Sequence, residues 1–383
     1  MNFHTYHLID DFSPAYYGVS QAITGLANYL AICSLQTTVV TAGTPKTPSS
    51  DGVGLENFPL RTGGRMWRFP QGMKTFLDYL GGSPGAVFHL HGVWMAPQWL
   101  AARAATRQGI PAVLSPHNML APQLWRNGWL RRLKKLAYWR TMAYPAFRKL
   151  PLIHACTAPE KEHLSKLFPG QRIEVIPNAL NMAKADNFLS DLEKASTPVI
   201  SRYILFLGRL HPIKGIDLLI QAFAALPPGN EMKLVIAGPP SVPEYAANLH
   251  SFVRSLGIEK KVIFWGPAFG EQKWRLFREA WAFCAPSYTE VGGMVNLEAA
   301  AAGTPVITTH STGLYDWEEG GGILVNPEVQ ELVRALRQVC SWEDRERAQR
   351  GQKLRQLVRE RYSWETVGPR WLELYAGLVQ GAN

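Results

Sequence analysis

Cysteine is scarce. Cys33, Cys156, Cys284 and Cys340 are scattered, with neither the paired spacing of a metal site nor the density of a disulfide scaffold, and imply reduced thiols in cytoplasm. No apolar run approaches the roughly eighteen residues that a membrane span needs. The opening MNFHTYHLIDDFSP has no basic segment followed by an apolar one, so no signal peptide is expected. Low-complexity tracts and fixed-period repeats are missing too, which argues against long disordered tails. The most informative absence is of acid. Between Tyr79 and Pro159 there is no Asp or Glu, while Arg103, Arg107, Arg126, Arg131, Arg132, Lys134, Lys135, Arg140, Arg148 and Lys149 all fall there. The chain has 40 basic and 30 acidic residues, so this one segment holds the whole excess of +10. Something anionic should meet that half.

What is present reads as an ordinary folded protein, 46% apolar and 18% charged over 383 residues. That length exceeds one core and predicts two domains of roughly 150 to 200 residues. Short apolar runs alternate with helical patterns: TTVVTAG, AVFHLHG, PAVLSPH and LIHACTA, then RYILFLG, MKLVIAG, KVIFWG, AFCAPS and TPVITT. Strands apolar on both faces and separated by helices imply parallel sheets covered on both sides, hence two doubly wound α/β domains. The polar stretch 181–202, with Pro198, is the expected linker. The expected division is residues 1–190, 191–365 and a C-terminal helix over 366–383 that packs back on the first domain. Ligands of such sheets bind beyond the carboxyl ends of the strands, so functional residues should follow strands.

Two motifs do so. In LFLGRLHPIKGIDLL a strand ends at Gly208, and Arg209 and Lys214 follow before a helix, an arrangement suited to a pyrophosphate: a bidentate fork and a point charge. No P-loop is present. In SYTEVGGMVNLEAAAAGTPVI, Gly292 and Gly293 let backbone approach a ligand. The free N–H groups of the following first turn, Met294 and Val295 included, suit an anionic oxygen. Glu290 and Glu298, eight positions apart, flank that turn, and a carboxylate that accepts two hydroxyl protons reads a diol.

Together, GRLHPIKG, the two glutamates and EAAAAGTPVI resemble the C-terminal half of the retaining glycosyltransferases of family 4, which share the GT-B fold: two Rossmann-like domains facing across a cleft. The resemblance covers about residues 203–310. It implies that Arg209 and Lys214 bind the donor pyrophosphate, that Glu298 takes the ribose hydroxyls, that Glu290 faces the donor sugar, that Gly238 in VIAGPP lies near the nucleotide and that IFWGPAF borders the base. More loosely, HLHGVW and SPHNMLAPQLWRNGWLRRLKK are similar to polysaccharide-building members in which a histidine, here His117, acts near the transferred sugar. Gly18 stands where the family has a glycine pair, Tyr17 replacing the other, and IPNALNM departs from the usual Pro-Asn-Gly.

No metal is expected: the resemblance implies none, no D-x-D occurs, and His89 and His91 are read as facing opposite sides of their strand. NGWLRRLKKLAYW has amphipathic spacing, with Trp129, Leu130, Leu133, Leu136 and Ala137 on the expected buried side and Arg131, Arg132, Lys134 and Lys135 opposite. Tyr138 and Trp139 are expected among the basic residues, where a membrane interface favours them. Nucleic acid is the rival anion, but no nucleic-acid-binding signature is present. The expected protein is a cytoplasmic glycosyltransferase, peripheral on the inner face of the cytoplasmic membrane. It would move a hexose from a UDP- or GDP-sugar to a glycan or lipid-linked saccharide. An epimerase acting on nucleotide sugars and a non-catalytic basic binding protein are the alternatives.

Overall fold

The computed structural model describes residues 3–12, 17–43, 52–60, 67–122, 129–193, 202–227, 229 and 231–381. The chain forms two compact units, Met1–Ala179 with Trp364–Asn383, and Leu180–Ser363.

The first unit is built on seven parallel strands: β1 (His4–Leu8), β2 (Gln36–Ala42), β3 (Val53–Phe58), β4 (Ala86–His91), β5 (Ala112–Ser115), β6 (Leu152–Ala155) and β7 (Ile173–Val175), in the order β3-β2-β1-β4-β5-β6-β7. Strand order reverses between β1 and β4, so the loops after these two strands diverge and leave a crevice where ligands of such sheets bind. The helix Trp364–Gln380 belongs to this unit. Its Trp371, Tyr375 and Leu378 bury against Phe3, Leu26, Leu30, Val113 and Leu152. Gly368 permits the contact: a Cβ there would lie 2.1 Å from the Tyr29 ring of the helix Tyr17–Ile32.

The second unit has six parallel strands, β8 (Tyr203–Leu207), β9 (Lys233–Ala237), β10 (Val262–Gly266), β11 (Ala282–Ala285), β12 (Val306–Thr309) and β13 (Ile323–Val325), ordered β10-β9-β8-β11-β12-β13. Here the order reverses between β8 and β11. Both sheets are the doubly wound kind that the alternating pattern predicts. The expected linker differs in one respect, because residues 182–193 form a helix, Met182–Glu193. Met182, Ala185 and Leu189 recur at helical spacing and bury with Trp274 and Phe277, while the Asn181 side chain accepts the Lys184 N–H at 2.8 Å.

Candidate functional site

In the second unit the predicted donor residues lie in the two loops at the point of strand reversal. Arg209 and Lys214 follow β8, and Glu290, Gly292 and Gly293 follow β11. The Tyr288 N–H donates to the Ile213 carbonyl at 2.9 Å and ties one loop to the other. Gly215 carries φ +64° and its Cα faces the Pro286 carbonyl, so the turn before the helix Ile216–Ala224 presses against the end of β11. The result is an ion pair between Lys214 and Glu290, residues 76 apart in sequence. Arg209, in the same loop as Lys214, is exposed. Partial burial, then the charges of Arg209 and Lys214, push the His211 imidazole below its ordinary pKa, and its Nδ1 accepts the Ile213 N–H at 3.1 Å.

Met294 and Val295 open the helix Met294–Ala301, whose N-terminus at Gly293 has no side-chain cap. A Cβ on Gly293 would sit 2.9 Å from Glu290 Cγ, so this glycine lets the glutamate fold over the helix start. Gly238, at φ +140°, donates its N–H to the Gly266 carbonyl at 2.7 Å, and a Cβ there would lie 1.8 Å from the Gly208 carbonyl oxygen. No side chain fits, because the ends of β8, β9 and β10 meet at this point.

Glu298 points inward. Its Oε1 accepts a hydrogen bond from Lys273 Nζ at 2.6 Å, and the two side chains are 3% and 5% exposed. Lys273, from the helix Gly270–Glu279, is a residue that sequence reasoning missed. GEQKWRLFRE reads as a charged helix face, and the only local signal is that Lys273 lies beside the buried Trp274.

In the first unit His117 and Asn118 follow β5 in left-handed backbone, φ +49° and +60°. Asn tolerates this conformation and His rarely adopts it. The buried Glu160 holds the turn: its Oε1 accepts the Asn118 N–H and its Oε2 the Cys156 N–H, each at 2.7 Å. Gly18 lies far less constrained, exposed in the helix Tyr17–Ile32, and a Cβ added there would meet nothing within 4 Å.

His89 and His91 share one face, which corrects the sequence expectation. Successive residues of a strand alternate, so positions two apart point the same way, and the two rings lie 4.0 Å apart. His7, opposite His89 in the register of β1 with β4, joins them. Nitrogen atoms of the three fall within 4.8 Å of one another, close enough to ask whether they hold a metal. Their hydrogen bonds occupy five of the six ring nitrogens. His91 uses one nitrogen on His7 and the other on His117, at 3.0 and 2.9 Å. His89 uses both, on the Tyr375 hydroxyl at 2.7 Å and the Ser115 hydroxyl at 2.6 Å. Of the three rings, only His7 has a nitrogen, Nε2, without a partner among the described residues, so a cation would have to displace these hydrogen bonds.

Burial holds His7 and His117 down to about pKa 3 and His154 to about 4, the Ile176 carbonyl partly opposing burial at His154. His89 and His91 lie well below the ordinary imidazole value, through burial and then the neighbouring rings. All five are neutral at pH 7.

The basic helix, Trp129–Tyr138, is turned over relative to the sequence expectation. Trp139 and Tyr138 are 8% and 9% exposed, whereas Trp129 and Leu133 are 71% and 55% exposed. Trp139 therefore faces the core, packed against Trp94, Tyr144 and Phe168, and the Tyr138 hydroxyl bonds the Val93 carbonyl at 3.2 Å. Tyr138 is nine residues from Trp129, about half a turn around a helix of 3.6 residues per turn, so both cannot be buried. The larger aromatic cluster takes the inward face. Arg132 and Lys134 are exposed, Lys135 is half-buried with its Nζ 5.1 Å from the Trp94 ring centroid, and the Arg131 side chain lies outside the described residues.

Residues 17–179 match the model of the Glycosyl transferase 4-like domain, and residues 190–356 that of Glycosyl transferases group 1. An uncharacterized glycosyltransferase of Methanocaldococcus jannaschii is 33% identical over 227 residues, 56% of this chain and 57% of that one. The D-inositol 3-phosphate glycosyltransferase of Corynebacterium glutamicum is 26% identical over 230 residues, 58% and 54% of the two chains. The chain thus spans about half the length of these curated relatives. Among solved structures, Anabaena HepE in complex with UDP and glucose superposes with a TM-score of 0.75 at 18% identity, over 98% of this chain and 100% of that one. WaaG, involved in lipopolysaccharide biosynthesis, gives 0.71 at 17%, over 98% and 100%. The fold shared with these glycosyltransferases is GT-B.

Proposed function

We propose that this chain, whose two halves match two glycosyltransferase domain models and whose fold is GT-B, transfers a hexose from a nucleotide diphosphate sugar to a glycan or lipid-linked saccharide, with retention at the anomeric carbon. The observation that carries the reading is the convergence of Arg209, Lys214 and Glu290, with Gly292, Gly293 and the uncapped helix start, in the two loops where the second sheet reverses its strand order. Arg209 and Lys214 bind the pyrophosphate and stabilise the diphosphate as it leaves. Lys214 must exchange its ion pair with Glu290 for the phosphates, which frees Glu290 for the sugar hydroxyls. Glu298 takes the ribose diol, and the N–H groups of Met294 and Val295 meet a phosphate oxygen. Gly238 keeps the strand ends open to the nucleotide. His117 is the first unit's contribution to the reaction. Anabaena HepE was solved with UDP-glucose, which makes that compound the first donor to try.

Arg209→Ala and Lys214→Ala should each weaken UDP-glucose binding about tenfold or more, since a charged hydrogen bond contributes about 1.5–3 kcal/mol. Calorimetry with UDP and UDP-glucose checks this, and unchanged affinity in both variants removes the donor site from these loops. Transfer itself is read by product analysis: free UDP with no glycosylated acceptor counts against the enzyme as a transferase.

The membrane reading now rests on Trp129 and Leu133 beside Arg132 and Lys134, an apolar and basic surface suited to an anionic bilayer. No helix among the described residues is long and apolar enough to cross a membrane. Sedimentation with anionic liposomes should show binding that falls with salt, by about 1 kcal/mol for each basic residue removed. The combined variant Trp129→Ser, Leu133→Ser should lose the part that salt does not screen. Indifference of the wild-type chain to anionic liposomes at low salt rules the surface out as a membrane contact.

A further inference from the structure

Two hydrogen-bond chains run through the buried histidines of the first unit, and the direction of one is fixed by a carbonyl. His154 Nε2 faces the Ile176 carbonyl at 2.7 Å, and a carbonyl only accepts, so that nitrogen carries the proton. In a neutral ring Nδ1 is then bare and takes the Ser115 hydroxyl proton at 2.7 Å. The Ser115 oxygen accepts from His89 Nε2–H, which leaves His89 Nδ1 to accept from the Tyr375 hydroxyl. Every member is satisfied.

The second chain, His117 Nε2 to His91 Nδ1 and His91 Nε2 to His7 Nδ1, ends on no such anchor. Each contact needs one donor and one acceptor, so three neutral rings allow two arrangements, which differ at both ends. In one, His7 Nε2 bears a proton and His117 Nδ1 is bare. In the other, His7 Nε2 is a bare lone pair and His117 Nδ1 bears the proton. His7 Nε2 is buried without a partner. A buried N–H with no acceptor is a rarer defect in folded proteins than a buried lone pair with no donor, so the second arrangement prevails.

We propose that His7 and His91 are positioning residues that lock His117 into the tautomer with its proton on Nδ1, so that this ring meets a ligand oxygen as a hydrogen-bond donor and not as a base. No group among the described residues bonds His117 Nδ1, and the ring lines a cavity of about 20 Å³ together with His89, His91, Ser115 and His154. The backbone strain at His117, held by Glu160 through Asn118, fixes where that N–H points. The ligand group it suits is a hydroxyl or phosphate oxygen. The lock stands on hydrogen bonds alone; the identity of the oxygen as one of a donor sugar rests on the glycosyltransfer reading.

Nitrogen-15 correlation spectra of the full chain, labelled at its histidine rings and without ligand, test the lock directly. Between pH 6.5 and 8, His117 should show a proton-bearing Nδ1 and a bare Nε2, and His91 and His7 should likewise carry their protons on Nδ1. The His91→Phe variant releases His117 Nε2, and its ring should become a mixture of tautomers while the signals of His89 and His154 keep their anchored pattern and report an intact fold. A wild-type His117 protonated at Nε2, or a His117 that keeps its tautomer in folded His91→Phe, overturns the proposal. If His91→Phe does not fold, the wild-type pattern decides alone. Adding UDP-glucose separates the two readings. A shift of His117 Nδ1–H with UDP-glucose and not with UDP supports a sugar oxygen as its acceptor. No shift, with the tautomer intact, counts against the glycosyltransfer reading and leaves the lock standing.

Discussion

Acidification from pH 7 to pH 5 should unfold the first unit while the second remains folded. His7, His89, His91 and His154 are buried and His117 is half-buried, all neutral with pKa values held below the ordinary 6.5. The unfolded chain binds protons at these rings from pH 6.5 downward and the folded chain does not. The stability they carry is therefore complete above pH 6.5 and is lost as pH falls toward the folded values near 3 to 4. Each ring contributes a slope of about 1.4 kcal/mol per pH unit in that window, so His7, His117 and His154 together withdraw about 6 kcal/mol by pH 5, and His89 and His91 act in the same direction. That is comparable to the whole stability of an ordinary domain, about 5–15 kcal/mol. Burial also raises the Asp10 and Glu160 carboxyls of this unit, and a carboxyl raised on folding offsets part of the loss as pH falls. Hydrogen exchange resolved by peptide, at pH 7.5, 6.5, 5.5 and 5.0, should show protection collapsing over the strands β1, β4, β5 and β6 first. Equal protection at pH 7.5 and 5.0 would mean that the rings are solvated or charged in the folded state.

The donor loops were legible in sequence because their geometry is local. A strand that ends in Gly208, with Arg209 and Lys214 in the next six residues, can only present them at a strand end, and Glu290 with its glycines does the same after β11. That β8 and β11 are neighbours and the loops converge is a property of the parallel order, which the alternation of strands and helices already implied. The partners were not legible. Lys273 reaches Glu298 from the preceding helix, Glu160 reaches Asn118 across 42 residues, and no spacing rule connects such pairs. β1, HTYHL, was not among the expected strands because two histidines in five residues make it look polar, yet it is central to its sheet. Once β1 is missed, His7 has no neighbours, and the histidine cluster disappears from view with it. The basic helix failed for another reason. Both of its faces carry aromatic residues, and which face turns inward is decided by the cavity beneath, where Trp94, Phe168 and Val93 wait for Tyr138 and Trp139.

Lys273→Met should destabilise the second unit by about 3–5 kcal/mol, the usual consequence of leaving one partner of a buried ion pair alone. The Glu298 carboxylate would stay in a site almost closed to water without its ammonium. For a unit of this size the melting temperature should fall by roughly 10 °C or more. The double variant Lys273→Met, Glu298→Leu removes both charges and should recover most of the loss, because well-packed apolar residues replace a buried pair at little or no cost. Nucleotide affinity should not follow stability back. If Glu298 reads the ribose diol, the double variant is folded and still unable to hold UDP, since the acceptor of the two hydroxyl protons is gone. Thermal unfolding and calorimetry on the same preparations therefore separate the two uses of one carboxylate. Recovery of both would make Glu298 a purely structural partner of Lys273 and leave the ribose to another residue. Recovery of neither would mean that the pair fixes the register of the helix Met294–Ala301 on its sheet, and that Gly292 and Gly293 present the phosphate site only when that register is held.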